Sequence, residues 1–238
     1  MFVTSIIVMV VGLLGLIVCA GNKKNPAMQP IAIGCLLVTL VGFGLYMYDS
    51  NFKDKNKANM ETYALRELSA YHKVGSVLKE KVSGKKVLVL VDGMTSETLQ
   101  EKFIDALKNA FGGEVIVERM QMGEDGNIDS LSYKKDYKPI FARYKDVGAI
   151  VFTIQLPFDM KYSEVKAPLV LFQSGDFRGA RQVKAMFNSN KLLAIRTYKS
   201  YSATNMPEPD EENLDKTFDM FFNMVTKENF DQFAKDFQ

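Results

Sequence analysis

The first fifty residues constrain this chain more than any other stretch. Phe2–Ala20 and Met28–Tyr48 are uncharged and mostly apolar, and only the short polar segment Gly21–Ala27 separates them. At about 1.5 Å per residue, each run forms a helix of roughly 30 Å, the thickness of a bilayer's hydrocarbon core. Pro30 stands near the start of the second run, where a helix tolerates proline best. The pattern predicts a transmembrane helical hairpin over residues 1–50, carrying a water-soluble part.

A cleaved secretory signal is the competing reading. Met1–Ser5 carries no basic side chain, and a second apolar run follows the first at once, so an anchor fits better. Leu16-Ile17-Val18-Cys19 lacks the small residue that lipid attachment needs before the cysteine. Gly12, Gly15, Gly34, Gly42 and Gly44 suit close packing of two membrane helices. Both cysteines, Cys19 and Cys35, lie in these runs. The rest of the chain therefore has no disulfide, no thiol nucleophile and no cysteine metal site.

Orientation follows from the flanking charges. Lys23 and Lys24 come after a first helix whose N-terminal flank is uncharged, which places the loop in the cytoplasm and the soluble domain outside. Lys53, Lys55 and Lys57 argue the other way, diluted by Asp49 and Asp54. Because the first helix usually dominates, the expectation is a bacterial inner-membrane protein with an extracytoplasmic domain. The lipid bilayer is then one partner, and a membrane protein or a second copy of the chain is another. A net charge of +2 offers nothing to draw nucleic acid.

Residues 51–84 read as a juxtamembrane helix or stalk, with Leu65, Leu68, His72, Gly75 and Leu78 near helical spacing. Residues 85–238 read as one α/β domain. Lys86–Val91 is a Val/Leu run typical of a strand buried on both faces, and Asp92-Gly93 turns the chain. Thr95 and Ser96 stand where a helix cap is needed, before the apolar stripe Leu99, Phe103, Ala106, Leu107 and Ala110. Glu114–Met120 is the second strand, and a loop with Gly123, Asp125, Gly126 and Asn127 follows. Asp136–Tyr144 is a weaker helix containing Pro139. Ala149–Leu156, Pro168–Phe172 and Lys191–Thr197 are the third to fifth strands, and Ser174-Gly175-Asp176 opens a helix that runs to about Phe187. Strands alternating with helices imply a three-layer fold with a mostly parallel five-stranded sheet, order 2-1-3-4-5. A helix is expected from about Glu211 to Val225, and an amphipathic one through Phe230, Phe233 and Phe237.

The sharpest local pattern is Val87-Leu88-Val89-Leu90-Val91-Asp92-Gly93-Met94, which resembles the opening strand of alkaline-phosphatase-type metalloenzymes. Such two-metal sites need several more Asp and His ligands, and His72 is the chain's one histidine, upstream on the stalk. Met94 stands where a haloacid-dehalogenase site needs a second aspartate. No Gly-x-Gly-x-x-Gly occurs, and the spacing around Ser83-Gly84-Lys85 is not that of a phosphate loop. The wider run from Lys86 to Ser200 resembles a single lobe of a type I periplasmic-binding or flavodoxin-like domain. That resemblance rests on Val87–Asp92, Glu97–Phe111, Gly148–Pro157 and Pro168–Ser174.

The function expected from these observations is a membrane-anchored, non-catalytic envelope module that binds a protein partner or small ligand through a Rossmann-like domain. The alternative is a membrane-bound enzyme acting on a phosphorylated or other anionic substrate. No catalytic residue, metal site or cofactor is assigned. A ligand would sit at the C-terminal edge of the sheet, where open α/β sheets bind theirs. The candidates are Asp92, Thr95 and Ser96 after the first strand, Gln155 after the third, and Asp176 with Arg178 after the fourth.

Overall fold

A computed structural model describes residues 2–22, 26–48, 54–93, 95–121, 131–157, 159–173, 177, 179–201 and 206–237. Lys23, Lys24, Lys53, Met94, the Gly123–Asn127 loop and Ser174-Gly175-Asp176 lie outside these residues. The chain divides into two compact units, residues 1–63 and 64–238.

In the first unit, helices α1 (Phe2–Gly21) and α2 (Met28–Met47) pair side by side. Small residues set the contact. A side chain at Gly12 would meet Cys35 O at 3.0 Å and collide with Thr39 Oγ1, and one at Gly42 would meet Met9 N at 2.9 Å. A side chain at Gly15 would meet the Cys35 sulfur at 2.5 Å. Gly34 and Gly44 differ from expectation: a side chain there would meet nothing within 4 Å, so only three of the five glycines serve the contact. Many of the large apolar side chains are left exposed on the outside of the pair. Val11, Ile17, Ile33 and Val41 are each 60 % exposed or more. Both helices are long and apolar enough to cross a membrane by length and composition.

The second unit is built on one sheet. Its strands are β1 (Val87–Asp92), β2 (Val115–Met120), β3 (Ala149–Phe152), β4 (Leu169–Leu171), β5 (Leu192–Tyr198) and β6 (Phe222–Thr226), in the order β2-β1-β3-β4-β5-β6. The first five run parallel in the expected order. The sixth is a correction. The expected helix to Val225 stops as α7 (Leu214–Phe221), and the next residues pair antiparallel with β5, Tyr198 opposite Phe222. Asn213 caps α7 by accepting from Lys216 N at 2.9 Å.

Side-chain alternation along β1 divides the interior in two. Val87, Val89 and Val91 face α3 (Asp54–Val82), α4 (Glu97–Phe111) and α7, where Tyr71, Val74, Leu78, Phe103, Leu107 and Phe218 pack. Leu88 and Leu90 face the other layer. That layer holds α5 (Lys138–Arg143), preceded by a π-helical turn at Tyr133–Tyr137, then α6 (Ala180–Asn188) and α8 (Phe230–Phe233), which a 3₁₀ turn follows. All five apolar residues of β1 are fully buried, as a central strand covered on both faces requires. Helix α3 crosses α4 at Gly75, where a side chain would meet Leu107 O at 2.5 Å.

Candidate functional site

At the C-terminal end of β1, Asp92 folds back on its own loop. Its Oδ1 accepts from Thr95 N at 2.7 Å, and its Oδ2 accepts from Thr95 Oγ1 at 3.0 Å. Its carbonyl accepts from Gln100 Nε2 at 2.7 Å, and the next amide, Gly93 N, donates to Met120 O at 3.1 Å. The strand end, the turn and the first turn of α4 are thereby tied together. Ser96 occupies the N-cap position of α4, yet its exposed side chain makes no cap bond. The Asp92 carboxylate closes the turn ahead of the helix, through Thr95, and does not cap α4 itself. Among the expected ligand residues, Asp92 and Thr95 touch and Ser96 adjoins them. Gln155 is exposed beyond the end of β3, and Asp176 and Arg178 lie outside the described residues.

Sequence reasoning missed the most heavily bonded side chain of this region. Arg196, on β5, is 3 % exposed and its partner Glu67, on α3, is 12 % exposed. Arg196 Nη1 donates to Glu67 Oε1 and Oε2 at 2.9 and 2.8 Å, Nε to Phe172 O at 3.0 Å, and Nη2 to the Tyr198 hydroxyl at 2.7 Å. The guanidinium also lies 4.6 to 4.9 Å from the ring centres of Phe222, Phe172 and Tyr198. A buried cation satisfied on every edge and packed between rings is a fastener, not a reagent. Beside it, Tyr71 packs on Phe172 and Phe103, with ring centres 4.7 and 5.2 Å away. Burial pushes the Tyr71 hydroxyl well above the usual tyrosine range, against the opposing pull of its hydrogen bond with Thr153. The available signal was an arginine inside the strand Leu192–Tyr198, at a position that strand alternation buries.

His72 is partly exposed on α3, its Nε2 3.9 Å from Asp215 Oδ2. Among the described residues, no cluster of three His, Cys, Asp or Glu side chains is placed to hold a metal ion.

A cavity of about 280 Å³ lies at the other end of the sheet, near the start of β3 and the approach to β4. Tyr133, Phe141, Tyr144, Ile150 and Val165 contribute apolar surface, and Lys138, Lys145, Lys166 and Glu164 contribute charge. Glu164 binds Lys138 at 2.8 Å and Lys161 at 3.7 Å. The hydrogen bond from Lys138 holds the Glu164 carboxyl below its ordinary range and raises the Lys138 ammonium. Burial, reinforced by the Glu164 charge, raises the Tyr133 hydroxyl.

Several solved structures are similar to this chain. A carbohydrate transporter from Acidothermus cellulolyticus, in complex with myo-inositol, aligns at 12 % identity and a TM-score of 0.46 over 71 % of this chain and 60 % of its own. A glucose-galactose binding protein from Geobacillus stearothermophilus aligns at 13 % identity and 0.42, over 68 % and 61 %. A LacI-type transcriptional regulator from Bacteroides fragilis aligns at 10 % identity and 0.43, over 70 % and 61 %. These are proteins of the type I periplasmic-binding fold, and the chain spans about three-fifths of their length. No protein-family model and no curated protein matches the chain.

Proposed function

We propose that this protein is a membrane-anchored, non-catalytic module of the bacterial cell envelope. In this reading α1 and α2 hold it in the inner membrane. The α/β domain lies outside the cytoplasm and binds a protein partner or small ligand. One observation carries the proposal: the hairpin is built inside out. Gly12, Gly15 and Gly42 lie at the helix contact, and side chains such as Ile17 (66 % exposed) and Ile33 (61 %) face outward, an arrangement that hydrocarbon favours and water penalises. Lys23 and Lys24 after the first helix support the outward orientation. The Asp92 carboxylate, bonded twice by Thr95, supports a structural task for the residue that an enzyme reading would have used first.

The test has two parts, both on the full chain reconstituted in lipid nanodiscs. A thermal-shift screen against sugars, nucleotides, small organic acids and divalent metals should find a stabilising ligand. Assays with p-nitrophenyl phosphate and p-nitrophenyl acetate should show no turnover above empty nanodiscs. Turnover abolished by Asp92→Ala in a folded variant supports the competing enzyme instead.

A further inference from the structure

We propose that the cavity beside β3 and β4 is a binding site for a small acid with a single aromatic ring. The proposal deepens the ligand-binding reading above and rests on it. Size is the first constraint. At about 280 Å³ the space is just under the roughly 300 Å³ at which clefts for drug-sized ligands begin, so one ring and a short arm fill it.

Shape and stiffness come next. The rings of Tyr133 and Phe141 form one wall, their centres 6.1 Å apart at 48°. Tyr133 is clamped at both ends: its N–H donates to Asp159 Oδ1 at 2.7 Å, and its hydroxyl bonds Glu164. Tyr144 is fixed by its hydroxyl, which donates to Glu118 Oε2 at 2.9 Å. Ile150, Val165 and Ala167 add the aliphatic lining. Walls held in place before binding lose little freedom on binding, and an aromatic guest stacks on them edge to face.

Charge selects the acid. Glu164 is already occupied by Lys138, Lys161 and Tyr133. Lys145 and Lys166 line the same cavity, and neither has an ion-pair partner among the described residues. The lining therefore carries three ammonium groups against one carboxylate. An apolar slot with two uncommitted cations takes a guest whose ring enters and whose carboxylate remains at the lysines, where the charge keeps part of its hydration.

The experiment is calorimetric titration of the full chain in phosphatidylcholine nanodiscs with phenylacetate, using phenylacetamide and acetate as the neutral and ringless controls. Phenylacetate should bind saturably with one site per chain, and both controls at least about tenfold more weakly. Added salt should weaken phenylacetate and leave phenylacetamide unchanged. The double variant Lys145→Ala/Lys166→Ala should lose about tenfold in phenylacetate affinity, and Ala142→Trp, at the exposed rim, should abolish binding. All three positions are exposed, so the variants should melt as the wild type does. The proposal is overturned by no saturable binding of phenylacetate at millimolar concentration, or by equal binding to wild type and both variants. Either result leaves the module reading standing if another ligand stabilises the domain, whereas turnover or loss from the membrane removes that reading itself.

Discussion

Two pairs of helices in this molecule solve opposite problems with the same device. In α1 and α2, Gly12, Gly15 and Gly42 bring the backbones together while the large aliphatic residues look outward. In α3 and α4, Gly75 again allows a close crossing, yet Tyr71, Val74, Leu78, Phe103, Leu107 and Phe111 look inward, onto a Val-rich sheet face. The glycine contacts are alike, so close packing alone does not distinguish the pairs. The direction of the large residues does: outward in the first pair and inward in the second, as the proposed hydrocarbon surroundings of one and the aqueous surroundings of the other would each favour. Polar chemistry divides in the same way. The second unit buries an arginine and a carboxylate because it can enclose them with partners.

The largest expected effect lies at that ion pair. Arg196→Ala strands the Glu67 carboxylate and should destabilise the second unit by about 3–5 kcal/mol in denaturant unfolding. The double variant Arg196→Met/Glu67→Met should recover most of the loss. If Arg196→Ala unfolds like wild type, the fastener reading is wrong.

A smaller effect separates the two helix crossings directly. Gly75→Val should cost the second unit about 1–3 kcal/mol, because the new side chain meets the Leu107 carbonyl and not a movable tip. Gly12→Val should leave that unfolding transition unchanged and should lengthen the distance between spin labels on α1 and α2. A shift of the domain transition by Gly12→Val would contradict the division into two units.

These residues also show where sequence was readable. The Val/Leu alternation of β1 and the small residues of the hairpin are local signals, readable without a structure. Strand β6 was not: Phe218, Phe221, Phe222 and Val225 fit a helical face, and pairing with Arg196, Thr197 and Tyr198 overrides it. Arg196 itself advertised a buried charge, but its partner Glu67 is 129 positions away, beyond any local pattern. That Asp92 turns the chain was readable from the strand end before Gly93, and the geometry adds its partner, Thr95, which bonds both carboxylate oxygens. The cavity draws its lining from the π-turn, α5, β3 and the loop before β4, so no motif could mark it.

Alkali gives a subtler probe of the interior. Tyr71 keeps its proton in the folded state to a higher pH than in the unfolded chain. Its contribution is whole below the ordinary value of 10.0 and is lost as pH rises beyond it. Stability should therefore fall above about pH 10, less steeply in Tyr71→Phe; equal slopes would mean that the hydroxyl is not buried as described.

The smallest effect belongs to the surface. Hydrogen bonds from Thr226 and Lys81 hold the exposed Glu228 carboxyl down at about 2, and Lys81 Nζ lies 2.9 Å from it. The associated stability is present above the ordinary carboxylate value and is lost as pH falls towards 2. Exposure keeps it small, so Lys81→Ala should cost less than about 1 kcal/mol near neutrality, and a larger loss would show that the pair does more than decorate the surface.

The contrast between the two helix pairs rests on one claim, that hydrocarbon surrounds α1 and α2. Alkaline carbonate extraction of membranes from cells expressing the full chain tests it most directly. The account predicts that the protein stays in the membrane pellet and that detergent releases it. Release by carbonate alone, as a soluble folded protein, would contradict it.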